Sequence, residues 1–526
     1  MNISNLSGLS FTPLTAYSNP TKITESPSTG EKLTLSTSKP IEHVFQPPQN
    51  FSQQSVSNPT EASEVTKKLA AQLNPEESNN RFKGMGTRFN ELLNRNSNSY
   101  SQELRQFNYY SHDKNAATVD FSKFEDLSKH TDQSLTLEIK TKSGATITFS
   151  IESSSGYGKN PDELLYEFEN MTVHQVGQNA SFRNTEVNFD VSGNLTEQER
   201  KQLAEFSENL EAFSNGYFED GSPDLKKLDL ASFDSISHLS IQGFGNASKP
   251  VSLEYTNNDE KRSISFSFEG NKAEIDINKS NQFVFSQEGK EQALERYLDI
   301  LKDSATEARA DNNQQKMMLD VLSTGFELSE KELTEARQKE GERTLLLNSE
   351  EASDAEKSND AIIPLPDFSF KFESLKERPN QKQPQEYSGF DVELSLDTIK
   401  EVDKAVEKTE QNQHFKLSGA YYDPLGYLEE TDFANQTYGY TSFEREVNKT
   451  VTTEVKSDQL VSAEMKESGK IKSDNLLYNK GVLIGQDPKN DAFGVLEDLT
   501  EELAIKAENT QLDILDEVLI DPFKDH

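Results

Sequence analysis

VNFDVSGNLTEQERKQLAEFSENLEAFSNGYFEDGSPDLKKLDLASFDSISHLSIQGF, residues 187–244, carries the densest folding instruction in this chain of 526 residues. Val187, Phe189 and Val191 alternate with polar residues, the period of a strand buried on one face, and Ser192-Gly193-Asn194 ends it. Thr196 followed by Glu199 forms a capping box, in which each side chain satisfies an orphan amide of the first helical turn. Leu203, Phe206, Leu210 and Phe213 then recur at spacings of three and four, so one apolar stripe faces a core while Glu205, Glu208 and Glu211 face water. Gly216 is expected as the left-handed residue just past the helix. Ser222-Pro223-Asp224 restarts a short helix, with a cap residue, Pro at the first position and an acid in the first turn. Leu239 and Ile241 alternate into a further strand. The stretch reads strand, helix, short helix, strand, with Phe206, Phe213, Tyr217 and Phe218 supplying a large share of the buried area.

The same two periods extend outward on both sides. Leu135, Leu137 and Ile139 alternate, Ser143-Gly144 turns, and Ile147, Phe149 and Ile151 alternate back as a hairpin. Past Phe244, four short runs make a meander: Val251-Leu253-Tyr255, Ile264-Phe266-Phe268, Ala273-Ile275-Ile277 and Phe283-Phe285, with turn residues at Asn257-Asn258-Asp259 and Gly270-Asn271. Leu294, Tyr297, Leu298, Leu301, Ala305 and Ala308 predict a long helix, and Met317 to Leu322 a second one closed by Gly325. Runs of strands joined by hairpins, with helices between the runs, imply an α+β fold: a central antiparallel sheet of hairpins and meander with packed helices, flanked by long disordered or loosely structured tails.

That fold is assigned to residues 117–325. Residues 1–60 are expected to be a disordered leader, because 19 Ser or Thr and 7 Pro leave no periodic apolar pattern. Residues 61–116 hold short helices, marked by Val65, Leu69 and Leu73 and by Phe82, Met85, Phe89, Leu92 and Leu93. Residues 326–388 read as a charged helix or linker, with RPNQKQPQ at 378–385. Residues 389–526 read as extended segments ending in an amphipathic helix through Leu496, Leu499, Leu503, Leu512, Leu515 and Leu519. Phe368, Phe370 and Phe372 alternate, as do the residues from Val447 to Val455, which fits either added strands or transient extended chain.

The totals exclude several functions. With 91 acids against 54 bases the net charge is −37, a field that repels phosphate backbones and anionic lipid, so duplex DNA and vesicles are not expected ligands and a cation or a basic protein is. No run approaches the roughly 18 apolar residues of a membrane helix. The absence of cysteine removes disulfides, thiolate metal sites and cysteine nucleophiles. Mean hydropathy of −0.78 points to a modest core beside long polar segments. No secretory signal is expected, since the first base is Lys22 and the apolar residues before it are interrupted. The Ser, Thr and Asn-rich opening resembles the unstructured leaders of type III exported proteins, so the chain is expected in the cytoplasm or outside it by a signal-peptide-independent route.

Motifs of catalysis fail on their sequence context. Gly243-Phe244-Gly245 follows a strand but leads into Pro250 and another strand, so it lacks the helix that a dinucleotide loop requires, and Gly156-Tyr157-Gly158 fails likewise before Asn160-Pro161. His43, His112, His130, His174, His238, His414 and His526 are far apart and show no paired spacing, so no metal is expected. Tyr217 to Asp224 clusters oxygens about Gly221, but an EF-hand alignment puts Lys227 at the twelfth ligand position and fails. No catalytic residue and no cofactor is nominated.

LTEQERKQLAEFSENLEAFSNGYFEDGSPDLKKLDLASF, residues 195–233, resembles a family of uncharacterised acidic bacterial proteins. They share a capped Leu- and Phe-rich helix, an acidic turn, a short Leu-rich helix and a strand. The resemblance implies a bacterial source and a shared domain and assigns no functional residue. The reading favoured is a non-enzymatic interaction or structural protein with a protein partner. The alternative is a hydrolase-like enzyme whose site assembles from distant carboxylates and histidines, His174 or His238 foremost.

Overall fold

The computed structural model describes residues 56–57, 85–94, 99–111, 129–166, 173–219, 221–245, 248–279, 287–328, 362–403, 406–425, 430–456, 459–501 and 518–524. Most of the leader, the Val65–Leu73 helix, the Phe283–Phe285 strand, the 329–361 part of the charged linker and the 502–517 part of the terminal helix lie outside them. The chain divides into two compact units, one of Met1–Glu61, Leu104–His130 and Ser154–Asn184, the other of Ala62–Glu103, Thr131–Ser153 and Thr185–His526. In the first, β1 (Val56–Ser57) pairs antiparallel with residues 106–107 of β2 (Ser99–Ser111).

The second unit is built on one face of an antiparallel sheet. Its N-terminal strands are residues 131–141 of β3 (Lys129–Thr141), 146–153 of β4 (Thr146–Tyr166) and 185–192 of β5 (Val173–Ser192), followed by β6 (Ile236–Gly245), β7 (Ser248–Asn257), β8 (Lys261–Phe268) and β9 (Asn271–Asn278). The hairpin, the strand on each side of the opening stretch and the first three meander strands are all present. Leu137, Ile147, Val187, Leu239, Leu253, Ile264 and Ile275 are buried on one face. The residues between them alternate outward, as an antiparallel sheet wetted on one side requires. Within this unit hydrogen bonding orders the strands β5-β4-β3-β6 and then β7 through β15 in sequence.

Helices cover the apolar face: α1 (Met85–Leu93), α2 (Glu197–Glu219), α3 (Gln287–Glu307) and α4 (Asn312–Phe326). Phe206 and Phe213 of α2 are fully buried, and Phe206 meets Phe233 edge to face with ring centroids 5.3 Å apart. The capping box is formed, Thr196 N donating to Glu199 Oε2 at 2.8 Å and Glu199 N to Thr196 Oγ1 at 3.2 Å. Two expected helix stops are corrected. α2 runs through Gly216 to Glu219, which places Tyr217 and Phe218 on the buried face, and α4 runs through Gly325. Both glycines permit close approach: a Cβ on Gly216 would lie 3.1 Å from the Ser222 carbonyl, and one on Gly325 2.8 Å from Ile275. The left-handed residue is Gly221, with φ of +67°. The short helix is a 3-10 turn that begins at Leu225, with Asp224 as its cap residue, rather than at Pro223.

The fold departs from a balanced α+β protein, because the sheet continues far beyond β9. β10 (Phe368–Glu373) pairs with β9 along its whole length, Phe370 opposite Ile275. Then come β11 (Gly389–Asp403), β12 (Val406–Pro424), β13 (Tyr438–Lys456), β14 (Gln459–Asn479) and β15 (Val482–Asp498). Sheet dominates. Leu496, expected on a terminal helix, is the last-but-two residue of β15.

Candidate interaction surface

Residues singled out as possible chemistry are spread over the molecule. Gly243 and Gly245 sit inside β6, not in a loop. A Cβ on Gly243 would stand 2.8 Å from Val251 Cγ1 and 3.1 Å from the Tyr217 ring, so glycine is there to seat Tyr217 on the sheet. Gly156, Tyr157 and Gly158 are within β4. His238 lies on the outer side of β6, its Nδ1 3.3 Å from Thr256 Oγ1 and its Nε2 3.6 Å from Glu254 Oε2, a half-exposed group on an open sheet surface. His414 Nδ1 meets Asn448 Oδ1 at 2.9 Å on β12 and β13, and is also exposed. The side chains of His130 and His174, and all of His43, His112 and His526, lie outside the described residues. Among the described residues no three His, Cys, Asp or Glu side chains come together as a metal site would need, and no helix is long and apolar enough to cross a membrane.

One titratable cluster escaped the sequence reading. Glu386 is buried at the ends of β12 to β14, where its Oε2 accepts from the Tyr438 hydroxyl at 2.9 Å, while Asn380 Nδ2 donates to that hydroxyl at 2.7 Å. Gln436 Nε2 donates to Asn380 Oδ1 at 2.8 Å. Burial pushes the Glu386 carboxyl above its usual range despite the bonds from Tyr438 and Asn380. Tyr422, Phe433 and Tyr438 are stacked on one another with centroids 5.0 to 5.7 Å apart, and Tyr438 is fully buried. The rings fill the space around the carboxylate, so the cluster ties the 375–388 and 430–437 segments to the strand ends. The bonds that join its two halves, Asn380 with Glu386 and Gln436 with Tyr438, span 52 to 58 residues, which is why no local pattern marks it.

The exposed end of the sheet is different in kind. β15 pairs with β14 from Asn479↔Val482 to Glu464↔Asp498 and is the last strand in the order, so its other edge meets no described strand. Lys480 (φ 51°) and Gly481 (φ 77°) make a two-residue turn with both central residues left-handed, the geometry that matches strand twist. The turn is tied back by Gly481 N donating to Gln436 O at 3.0 Å and Lys480 N to Thr437 Oγ1 at 3.1 Å. Immediately after it, Val482, Leu483 and Ile484 are 62%, 46% and 57% exposed, beside Leu477 on β14 at 41%. Three consecutive apolar side chains on an edge strand face water on both sides of the sheet. Farther along, Asp487, Asp491, Glu497 and Asp498 against Lys489 make the strand acidic. No family model, no curated protein and no solved structure matches this chain.

Proposed function

We propose that this chain is a non-enzymatic interaction protein that engages a protein partner by strand addition along β15. The observation that carries the reading is the anchored, solvent-facing Val482-Leu483-Ile484 run on a strand with one unpaired edge. An edge strand offers a row of backbone N–H and C=O groups to an incoming strand, and alternate side chains give it specificity. Apolar residues exposed together mark such sites, whereas single ones are ordinary. The acidic remainder of β15 and the net charge of −37 favour a partner strand carrying Lys or Arg. The whole protein with Leu483→Lys and Ile484→Lys should keep its melting temperature, since both side chains already face water. As bait in source-cell lysate it should lose partners that the wild-type bait retains; an unchanged set of captured proteins would refute the reading.

A further inference from the structure

A second surface, independent of β15, is defined by how the chain holds residues 518–523. Val518, Leu519 and Ile520 are buried to within a few per cent, yet side chains of the sheet, not a neighbouring strand, take up their backbone groups. Gln413 of β12 grips both sides, its Nε2 donating to Val518 O at 2.7 Å and its Oε1 accepting from Ile520 N at 2.8 Å. Lys449 of β13 donates to Leu519 O at 2.9 Å, and Arg445 to Pro522 O at 2.7 Å. Phe523 lies edge to face on Phe415, centroids 5.7 Å apart, with the Arg445 guanidinium 5.1 Å over its ring.

These groups belong to one built row. Gln413 stands directly opposite Lys449, and Lys449 opposite Glu467, and all three are nearly fully buried. Tyr297 of α3 reaches Gln413 Oε1 at 3.4 Å, and Glu467 stands 3.8 Å from Lys449. Burial pushes the Lys449 ammonium below its usual range although Glu467 opposes this. A buried lysine and a buried glutamine are costly choices for a β-sheet core. Here they address the main chain of one short segment, helical at Val518, bent at Leu519 and turning at Pro522-Phe523, as peptide-binding domains address a ligand.

We infer that the inner face of β12 and β13, with Gln413, Lys449, Arg445 and Phe415, is a binding groove for a bent peptide of three consecutive apolar residues followed by Asp-Pro-Phe, and that the chain's own Val518–Phe523 is its resident ligand. All four of these hydrogen bonds, at Val518, Leu519, Ile520 and Pro522, are made to backbone, so the apolar triplet sets fit while the main chain sets register. A tethered resident has an effective concentration of about millimolar, so a free peptide at micromolar concentration does not displace it from the intact chain.

The test uses the full chain, unaltered or with Val518→Asp and Ile520→Asp to expel the resident, and as probe a fluorescent synthetic peptide VLIDPFK. Anisotropy should show the variant binding the probe at least about tenfold more tightly than the wild type, given that tethering advantage. Adding Gln413→Ala should abolish the gain. Equal binding by both chains, or by neither, overturns the inference. Should the variant fail to fold, hydrogen exchange on the wild type decides. In a separable ligand the Ile520 amide opens locally and exchanges at least about a hundredfold faster than the Leu253 amide of β7. Exchange of the two amides at one common rate makes residues 518–523 an integral part of the core and overturns the inference.

Discussion

Glu199 is buried and charged, and four groups justify it. It closes the α2 capping box with Thr196 and also accepts from Ser143 N at 3.3 Å and Ser143 Oγ at 3.0 Å. Burial acts to raise its pKa, but these bonds to the ionised form win and hold it at about 2 against an ordinary 4.5. A depressed folded-state pKa contributes stability that is complete above the unfolded value and is lost as pH falls through the folded one. The contribution is on the order of 3 kcal/mol, since each unit is worth about 1.4 kcal/mol. Denaturant midpoints of wild type and Glu199→Gln should therefore differ at pH 6 and converge between pH 4.5 and pH 2; a difference that is constant with pH would show that the charge is not what matters. The Thr196–Glu199 half of this arrangement is legible in sequence because its spacing is local. The Ser143 half is not, since 56 residues separate the partners and only the hairpin turn brings them together.

Among the elements, α2 was readable because its stripe is purely apolar. Phe206→Ala or Phe213→Ala removes a fully buried ring under the sheet, and each should lower stability by about 3 to 5 kcal/mol in chemical denaturation. A loss below 1 kcal/mol would mean the helix packs loosely. β12 to β14 obey the same alternation, but the inward positions hold Thr409, Gln411, Gln413, Lys449, Thr453 and Glu467. A hydrophobicity pattern is blind to a face that is buried and polar. The cause is structural: Gln411 accepts from Ile363 N at 2.7 Å and donates to Ile363 O at 3.3 Å, while Gln413 does the same service for 518–520. Side chains that receive backbone must be polar, so the groove erased the signal of the strands that form it. The exposed Val482-Leu483-Ile484 run was missed for the opposite reason, because apolar residues in sequence suggest a core.

At the scale of the molecule, a long antiparallel sheet whose last strand leaves one edge without a described partner would be prone to stack edge to edge. β15 answers this in its middle with Asp487-Pro488-Lys489, a break that lacks one N–H and carries both charges. Pro488→Val with Lys489→Val should restore a continuous pairing edge and produce concentration-dependent association in sedimentation velocity. A variant that stays monomeric at every concentration would show that net charge alone keeps copies apart.

From β7 to β15 each strand lies beside the one that precedes it in the chain, whereas β6 lies beside β3, reached from β5 by way of α2 and the 3-10 turns after it. During synthesis, then, every strand after β6 leaves the ribosome with its neighbour already laid down, and assembly proceeds as knitting does, row upon finished row. The pairing of β6 with β3, which must wait for distant chain to return, is the casting-on, and residues 187–244 perform it.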